Sequence, residues 1–288
     1  MKISSIGFKN NFKLNNTQTR TKTLGLTNNK VSYNKNISFK GELKSEQEIL
    51  EFEKEAQEAS KSALEEAEEI QEKVAQELKI ANEIKAQIAD MSLVLYGNNE
   101  LVIGRDSIKY RMRNSQYGVY DEYEFDMDAK IKSISKGVRS ADKMGQEIEE
   151  RYSFDENQQL RTAEYFFKMV PVTRKQKGFN SHYSGGYIKR NSWYTFSNGN
   201  LENVSYLTTY NVAERTRAKN CIIFENGKLT DYMSDYINGN FGCKYTQGIF
   251  FGEVDGTFEY KKGYSNTRDG IKCEQTSSFK NGKMYKTV

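Results

Sequence analysis

"FENGKL" (residues 224–229) is the stretch on which the reading of this chain turns. Asn-Gly is the strongest short hairpin signal, because a type I′ turn needs positive φ at both central residues. With the turn at Asn226-Gly227, Glu225 faces Lys228 and Phe224 faces Leu229. That register supplies an opposite-charge pair and an aromatic–aliphatic pair across one ladder. The phrase recurs. "FSNGNL" sets Phe196 opposite Leu201 about Asn198-Gly199, "YINGNF" sets Tyr236 opposite Phe241 about Asn238-Gly239, and "FKNGKM" sets Phe279 opposite Met284 about Asn281-Gly282. Tyr96 and Leu101 around Asn98-Asn99 form a degenerate copy. "FDMDAKI" from Phe125 and "FDENQQL" from Phe154 carry one extra residue, which fits a three-residue loop with a bulge. Asp255-Gly256 adds another turn. Aromatic starts at 96, 125, 154, 196, 224 and 279 are separated by 29, 29, 42, 28 and 55 residues. Most of these intervals are near one value or its double, and the odd one spans the loop from Pro171 to Gly186. A decayed repeat of hairpins over residues 93–288 is the expectation.

The phrase built from Phe196, Asn198, Gly199, Leu201, Phe224, Asn226, Gly227, Leu229, Phe279, Asn281, Gly282 and Met284 resembles the MORN repeat and its bacterial hairpin-repeat relatives. In those proteins an aromatic–Gly phrase marks successive hairpins of one elongated antiparallel sheet. The resemblance implies scaffolding or protein binding. Here the period is longer than in MORN proteins, and their paired glycines later in each repeat are missing.

Residues 42–92 read differently. From Ser45 to Met91 there is neither Pro nor Gly, and Ala, Glu, Gln, Lys, Ile and Leu dominate. Ser45 followed by Glu48 has the form of a capping box. Ile49, Phe52, Ala56, Ala59, Ala63, Ala67, Ile70, Val74, Leu78, Ala81, Ile84 and Ile88 step by three or four, which keeps one apolar stripe on one helical face. A rod of this length, on the order of 70 Å, is too long for a small domain to cover. The expectation is therefore self-association through 45–91 as a coiled coil, or a solvated helix held by pairs such as Glu69–Lys73. Packing on the sheet is the remaining arrangement, and the stripe alone does not choose.

Charge divides the chain in the same places. Residues 1–41 hold eight Lys or Arg and no acid, residues 42–92 carry a net −9, and residues 93–288 carry +5. The first segment reads as a disordered basic tail. It lacks a signal-peptide apolar region, and its single Arg20 fits an organelle transit peptide poorly. No window approaches the roughly 20 apolar residues of a membrane span. The overall +4 argues against a specific nucleic-acid partner, although "KYRMR" (residues 109–113) interleaves bases and aromatics in the manner of single-strand binders. Cys221, Cys243 and Cys273 form no CxxC pair and fit free thiols in the cytoplasm.

Chemistry is scarce. No P-loop, GxSxG, HExxH or EF-hand pattern is present. His182, the only histidine, lies in "NSHYSGGY" and would anchor any catalytic site near residues 171–186. Asp121, Glu122, Glu124, Asp126 and Asp128 supply oxygen ligands of the kind Ca²⁺ takes, but alternation through a turn scatters them, so a solvated acidic edge is expected. Trp193 reads as a core or edge anchor. The whole predicts an α+β protein: a tail (1–41), a long helix (42–92) and an antiparallel hairpin-repeat meander (93–288). Its expected role is a non-catalytic scaffold for a protein partner, with no catalytic, cofactor or metal residue assigned. Two rivals are a membrane-surface protein anchored by the basic tail and an enzyme at the 171–186 loop.

Overall fold

A computed structural model describes residues 44–89, 99–113, 119–141, 145–171, 187–211, 216–238, 243–266 and 270–288. One helix, α1 (Glu46–Ala89), precedes β1 (Glu100–Ile103), β2 (Ile108–Arg113), β3 (Val119–Phe125), β4 (Ile131–Ala141), β5 (Gly145–Glu147), β6 (Glu150–Phe154) and β7 (Leu160–Pro171). The strands continue as β8 (Tyr187–Ser197), β9 (Asn200–Asn211), β10 (Thr216–Glu225), β11 (Lys228–Asn238), β12 (Cys243–Phe251), β13 (Thr257–Asn266), β14 (Gly270–Lys280) and β15 (Lys283–Thr287). All fifteen join one sheet; fourteen follow each other in chain order, and β5 pairs only with β4. Every pairing is antiparallel, so the sheet is a single meander with β1 and β15 at its ends. The α+β class holds.

The turns are as local chemistry demands. Asn198, Asn226 and Asn281 have φ of 50°, 52° and 51°, and the glycines after them 77°, 77° and 71°, the double positive φ of type I′. Phe196 faces Leu201, Phe224 faces Leu229 and Phe279 faces Met284. In each hairpin the register shifts by one residue just beyond that pair, so one extra residue bulges on the returning strand. The two longer phrases close differently. Ala129 N–H donates to the Asp126 carbonyl and Gln158 N–H to the Asp155 carbonyl, while Ala129 and Gln158 take φ of 56° and 63°. These are three-residue loops, and Phe125 faces Ile131 and Phe154 faces Leu160 across them.

Two glycines separate conformation from packing. A Cβ on Gly227 would meet nothing within 4 Å, whereas one on Gly256 would lie 2.7 Å from Asn281 Oδ1, in the neighbouring turn. Gly227→Ala is therefore expected to cost about 1 kcal/mol from φ alone. Gly256→Ala should cost visibly more, because its positive φ is joined by a clash. Urea unfolding of the two variants measures the difference.

One hairpin departs from its phrase. Tyr236 faces Tyr245 rather than Phe241, and Asn238 ends β11 opposite Cys243; Gly239 and Phe241 lie outside the described residues. The tight turn would have placed Ile249 opposite Lys228, beyond the core. The observed register sets Ile249 between Tyr232 and Tyr260, fully buried. Burying an isoleucine is worth about 1.5–3 kcal/mol, which outweighs a turn preference. Tyr96 and Asn98 also fall outside the described residues, and Leu101 pairs with Tyr110 of β2.

The helix lies across one face of the sheet. Its capping box forms, with Ser45 N–H donating to Glu48 Oε2 at 3.0 Å and Glu48 N–H to Ser45 Oγ at 3.3 Å. Ile49, Phe52, Ala56, Ala63, Ala67, Ile70, Val74, Ala81 and Ile84 are buried against the strands. Contacts run in reverse strand order: Lys44 to Gln275 on β14, Phe52 to Tyr232 on β11, Glu66 to Tyr206 on β9, Lys73 to Glu150 on β6, and Glu77 to Tyr123 on β3. The dimensions explain the fit. Forty-four residues make a helix about 66 Å long, and fourteen strands span about 62 Å. One helical turn, about 5.4 Å, advances nearly one strand spacing. The expectation that no domain here could cover the stripe is overturned, because the sheet is as wide as the helix is long. The apolar stripe is thus occupied within the chain and offers no seam for a coiled coil. Lys73 turns to Glu150 on the sheet rather than to Glu69.

Candidate functional site

Two residues before the row of phenylalanines stands a second row, made mostly of tyrosine: "YEF", "YSF" and "YTF" end at Phe125, Phe154 and Phe196. Strand alternation puts both rows on the helix side. Their hydroxyls meet carboxylates, those of Tyr123 and Tyr194 on the helix and that of Tyr152 on β6. Tyr123 OH donates to Glu77 Oε2 at 2.7 Å. Lys136 Nζ lies 2.9 Å from Glu77 Oε1 and 2.8 Å from Asp121 Oδ2, and Gly137 N–H donates to Asp121 Oδ1. Tyr194 and Tyr206 both donate to Glu66 Oε2, and Arg190 Nη2 donates to Glu66 Oε1 at 3.1 Å. Tyr152 OH donates to Glu150, which also holds Lys73, and is hydrogen-bonded to Tyr165 OH.

Electrostatics follow from this geometry. Burial pushes the phenols of Tyr123, Tyr152, Tyr194 and Tyr206 above their usual range, and the carboxylates beside them add to the effect. Tyr165 is pushed up to about 12, burial again leading. Burial opposes ionisation of Glu66, yet the hydrogen bonds of Tyr194 and the Arg190 charge hold it below the usual carboxylate range. Lys136 behaves alike: burial alone would lower its affinity for the proton, and Asp121 and Glu77 raise it. Neutral phenols tied to carboxylates are poor nucleophiles and bases. The hydroxyls of Tyr123, Tyr194 and Tyr206 fix the helix along its axis, since each donates to a carboxylate at a single helix position.

None of these residues was marked by the turn phrase. The signal was present as tyrosine two before phenylalanine, and as Glu77, which sits seven residues from both Ile70 and Ile84 in the apolar stripe.

The opposite face carries the other alternating set. Trp193, Leu207, Ile223, Met233 and Phe250 are half-buried there, among Asn203, Ser205, Asp231 and Lys261. The Phe250 ring lies across Gly248, where a Cβ would be 3.1 Å from it, and Lys261 Nζ stands 4.8 Å from the ring centroid. Lys261 is exposed, and a cation–π pair at such a site contributes about 0.5–1 kcal/mol. Cys221, a free thiol, lies on this face and is hydrogen-bonded to Asn203. Trp193 is therefore neither a core residue nor on an edge strand.

The acidic group of β3 is not a solvated edge. Asp121 and Glu122 are 3% and 8% exposed. Asp121 faces Lys136 under the helix, and Glu122 binds Lys109 at 3.0 Å and Arg111 at 2.8 Å on the other face. The same pairs neutralise most of "KYRMR", whose Arg113 holds Glu100. Asp126 Oδ1 instead accepts the N–H groups of Asp128 and Lys130 and shapes the turn. Among the described residues no group of three or more His, Cys, Asp and Glu is placed to hold a metal ion. His182 and its loop lie outside them.

The turn residues themselves collect along one rim. Phe196, Leu201, Phe224 and Phe279 are buried in the core row, Leu229 is partly buried, and Met284 is exposed at the sheet's end. Asn198, Gly199, Asn226, Gly227, Asn281 and Gly282 are exposed at the hairpin tips. Together these define an α+β protein in which one long helix crosses an open antiparallel meander. No helix among the described residues is long and apolar enough to cross a membrane. Comparison with known families, with curated proteins and with solved structures finds no match.

Proposed function

We propose that this chain is a non-catalytic scaffold whose sheet presents its uncovered face to a protein partner. The carrying observation is the asymmetry of the two faces. One is sealed by the helix from Ile49 to Ile84; the other displays Trp193, Leu207, Ile223, Met233 and Phe250 with polar neighbours between them. Aromatic and methionine side chains within a polar surround are the composition of protein-binding patches. The recurrent bulged hairpin supports reading the sheet as copies of one unit, in keeping with the MORN-like resemblance, and repeat sheets of this kind serve as extended binding surfaces. The helix serves as the stiffener.

Affinity capture with the intact chain tests this. A partner retained by the wild type should be lost from a Trp193→Asp/Phe250→Asp variant whose circular dichroism is unchanged. Equal recovery by the two chains, or no partner at any salt concentration, would sink the proposal.

A further inference from the structure

We infer that copies of this chain assemble head to tail, with β1 of one copy pairing against β15 of the next. This stands independently of any partner on the uncovered face. The first observation is the row of apolar side chains beside the hairpin turns, which ends in exposed residues at both edges. From Ile108 through Phe125, Ile131, Phe154, Phe196 and Leu201 to Phe224, Phe258 and Phe279 the row is buried or nearly so. Its two terminal members are Ile103, 69% exposed, and Met284, 38% exposed. Among the described residues, each lacks on one side the strand neighbour that every other member has. Val102 on β1 and Tyr285 on β15 are exposed as well, and all five residues of β15 are solvent-facing. An open edge that presents apolar side chains is a template for another strand.

Direction and register choose the occupant. Alternation over fourteen strands makes β1 and β15 run in opposite senses, so a translated second copy continues the antiparallel order without interruption. In that arrangement the rows align: Met284 meets Ile103, and Thr287 meets Leu101, which belong to the same two inner rows. Lys286 of β15 then lies diagonal to Glu100, an attractive pairing. Two-fold antiparallel pairing of β15 with itself, centred between Met284 and Tyr285, would set Lys283 of each copy against Lys286 of the other, and it would turn the hairpin rim of one copy away from that of the other. The core row would break. Docking has one cost, because Met284 N–H already donates to Glu46 Oε1 at 3.1 Å and must exchange that acceptor for a strand carbonyl. A heterologous contact of this kind grows as an open filament unless its rotation closes a ring.

Mixing of blocked edges tests the inference. Ile103→Lys closes the β1 edge, and Met284→Lys closes the β15 edge; both positions are exposed, so circular dichroism should be unchanged, and Val102→Lys replaces the first variant if it is not. In sedimentation velocity the full-length wild type should form species growing with concentration. Each variant alone should associate at least about tenfold more weakly, since the buried lysine has no partner. An equimolar mixture should give a one-to-one dimer and nothing larger, because a single compatible pair of edges remains. A wild type that stays monomeric to its solubility limit, a single variant that assembles like the wild type, or a mixture that stays monomeric would overturn it.

Discussion

Lys136→Met is expected to destabilise the fold by about 3–5 kcal/mol, the usual consequence of removing one partner from a buried ion cluster. Glu77 and Asp121 would be left facing each other under the helix without a cation, at side-chain exposures of 12% and 4%. The loss is a large part of the roughly 5–15 kcal/mol that holds a typical domain together. Adding Glu77→Gln should restore part of it, because the amide still accepts from Tyr123 while Asp121 keeps the Gly137 N–H. Urea melts of the single and double variants give the comparison. A single variant within about 1 kcal/mol of wild type would show that the cluster is solvated rather than sealed.

Alkaline pH should unfold the protein as a cooperative event coupled to tyrosine ionisation. Tyr123, Tyr152, Tyr194 and Tyr206 all have folded values above the unfolded phenol, mainly through burial. A raised folded value means that the stability is fully present below the unfolded value of about 10 and is lost as pH climbs from there toward the folded values. Each such phenol contributes a slope of up to about 1.4 kcal/mol per pH unit, so four together reach about 5–6. Denaturant midpoints measured against pH, alongside phenolate absorbance, report this directly. Tyr152→Phe or Tyr194→Phe should flatten the slope. Stability unchanged from about pH 9 to about pH 11.5 would contradict the picture of sealed hydroxyls.

Much of the architecture is legible in the sequence because it is written at short range. Asn226-Gly227 needs only its own backbone to turn, and Ser45 with Glu48 needs only one helical turn to cap. The stepping of Ile49, Phe52 and Ala56 is likewise a property of a single face. The candidate surfaces were less legible. Tyr123 and Glu77 are 46 residues apart in the chain, and nothing local marks one as the partner of the other. Phe250 looks like any strand aromatic until Gly248 and Lys261 are seen to frame its ring.

Local sequence alone determined that there would be a helix with one apolar stripe and a succession of hairpins with aromatic–aliphatic pairs. Tertiary structure decided what the stripe would cover, because only an assembled sheet of fourteen strands is wide enough to match a helix of that length. It also overruled the turn at Asn238, since the burial of Ile249 is a sum over three strands that no hexapeptide contains. The division has one physical cause: turns and caps close within a few residues, whereas the identity of a burial partner is a long-range property of the whole chain.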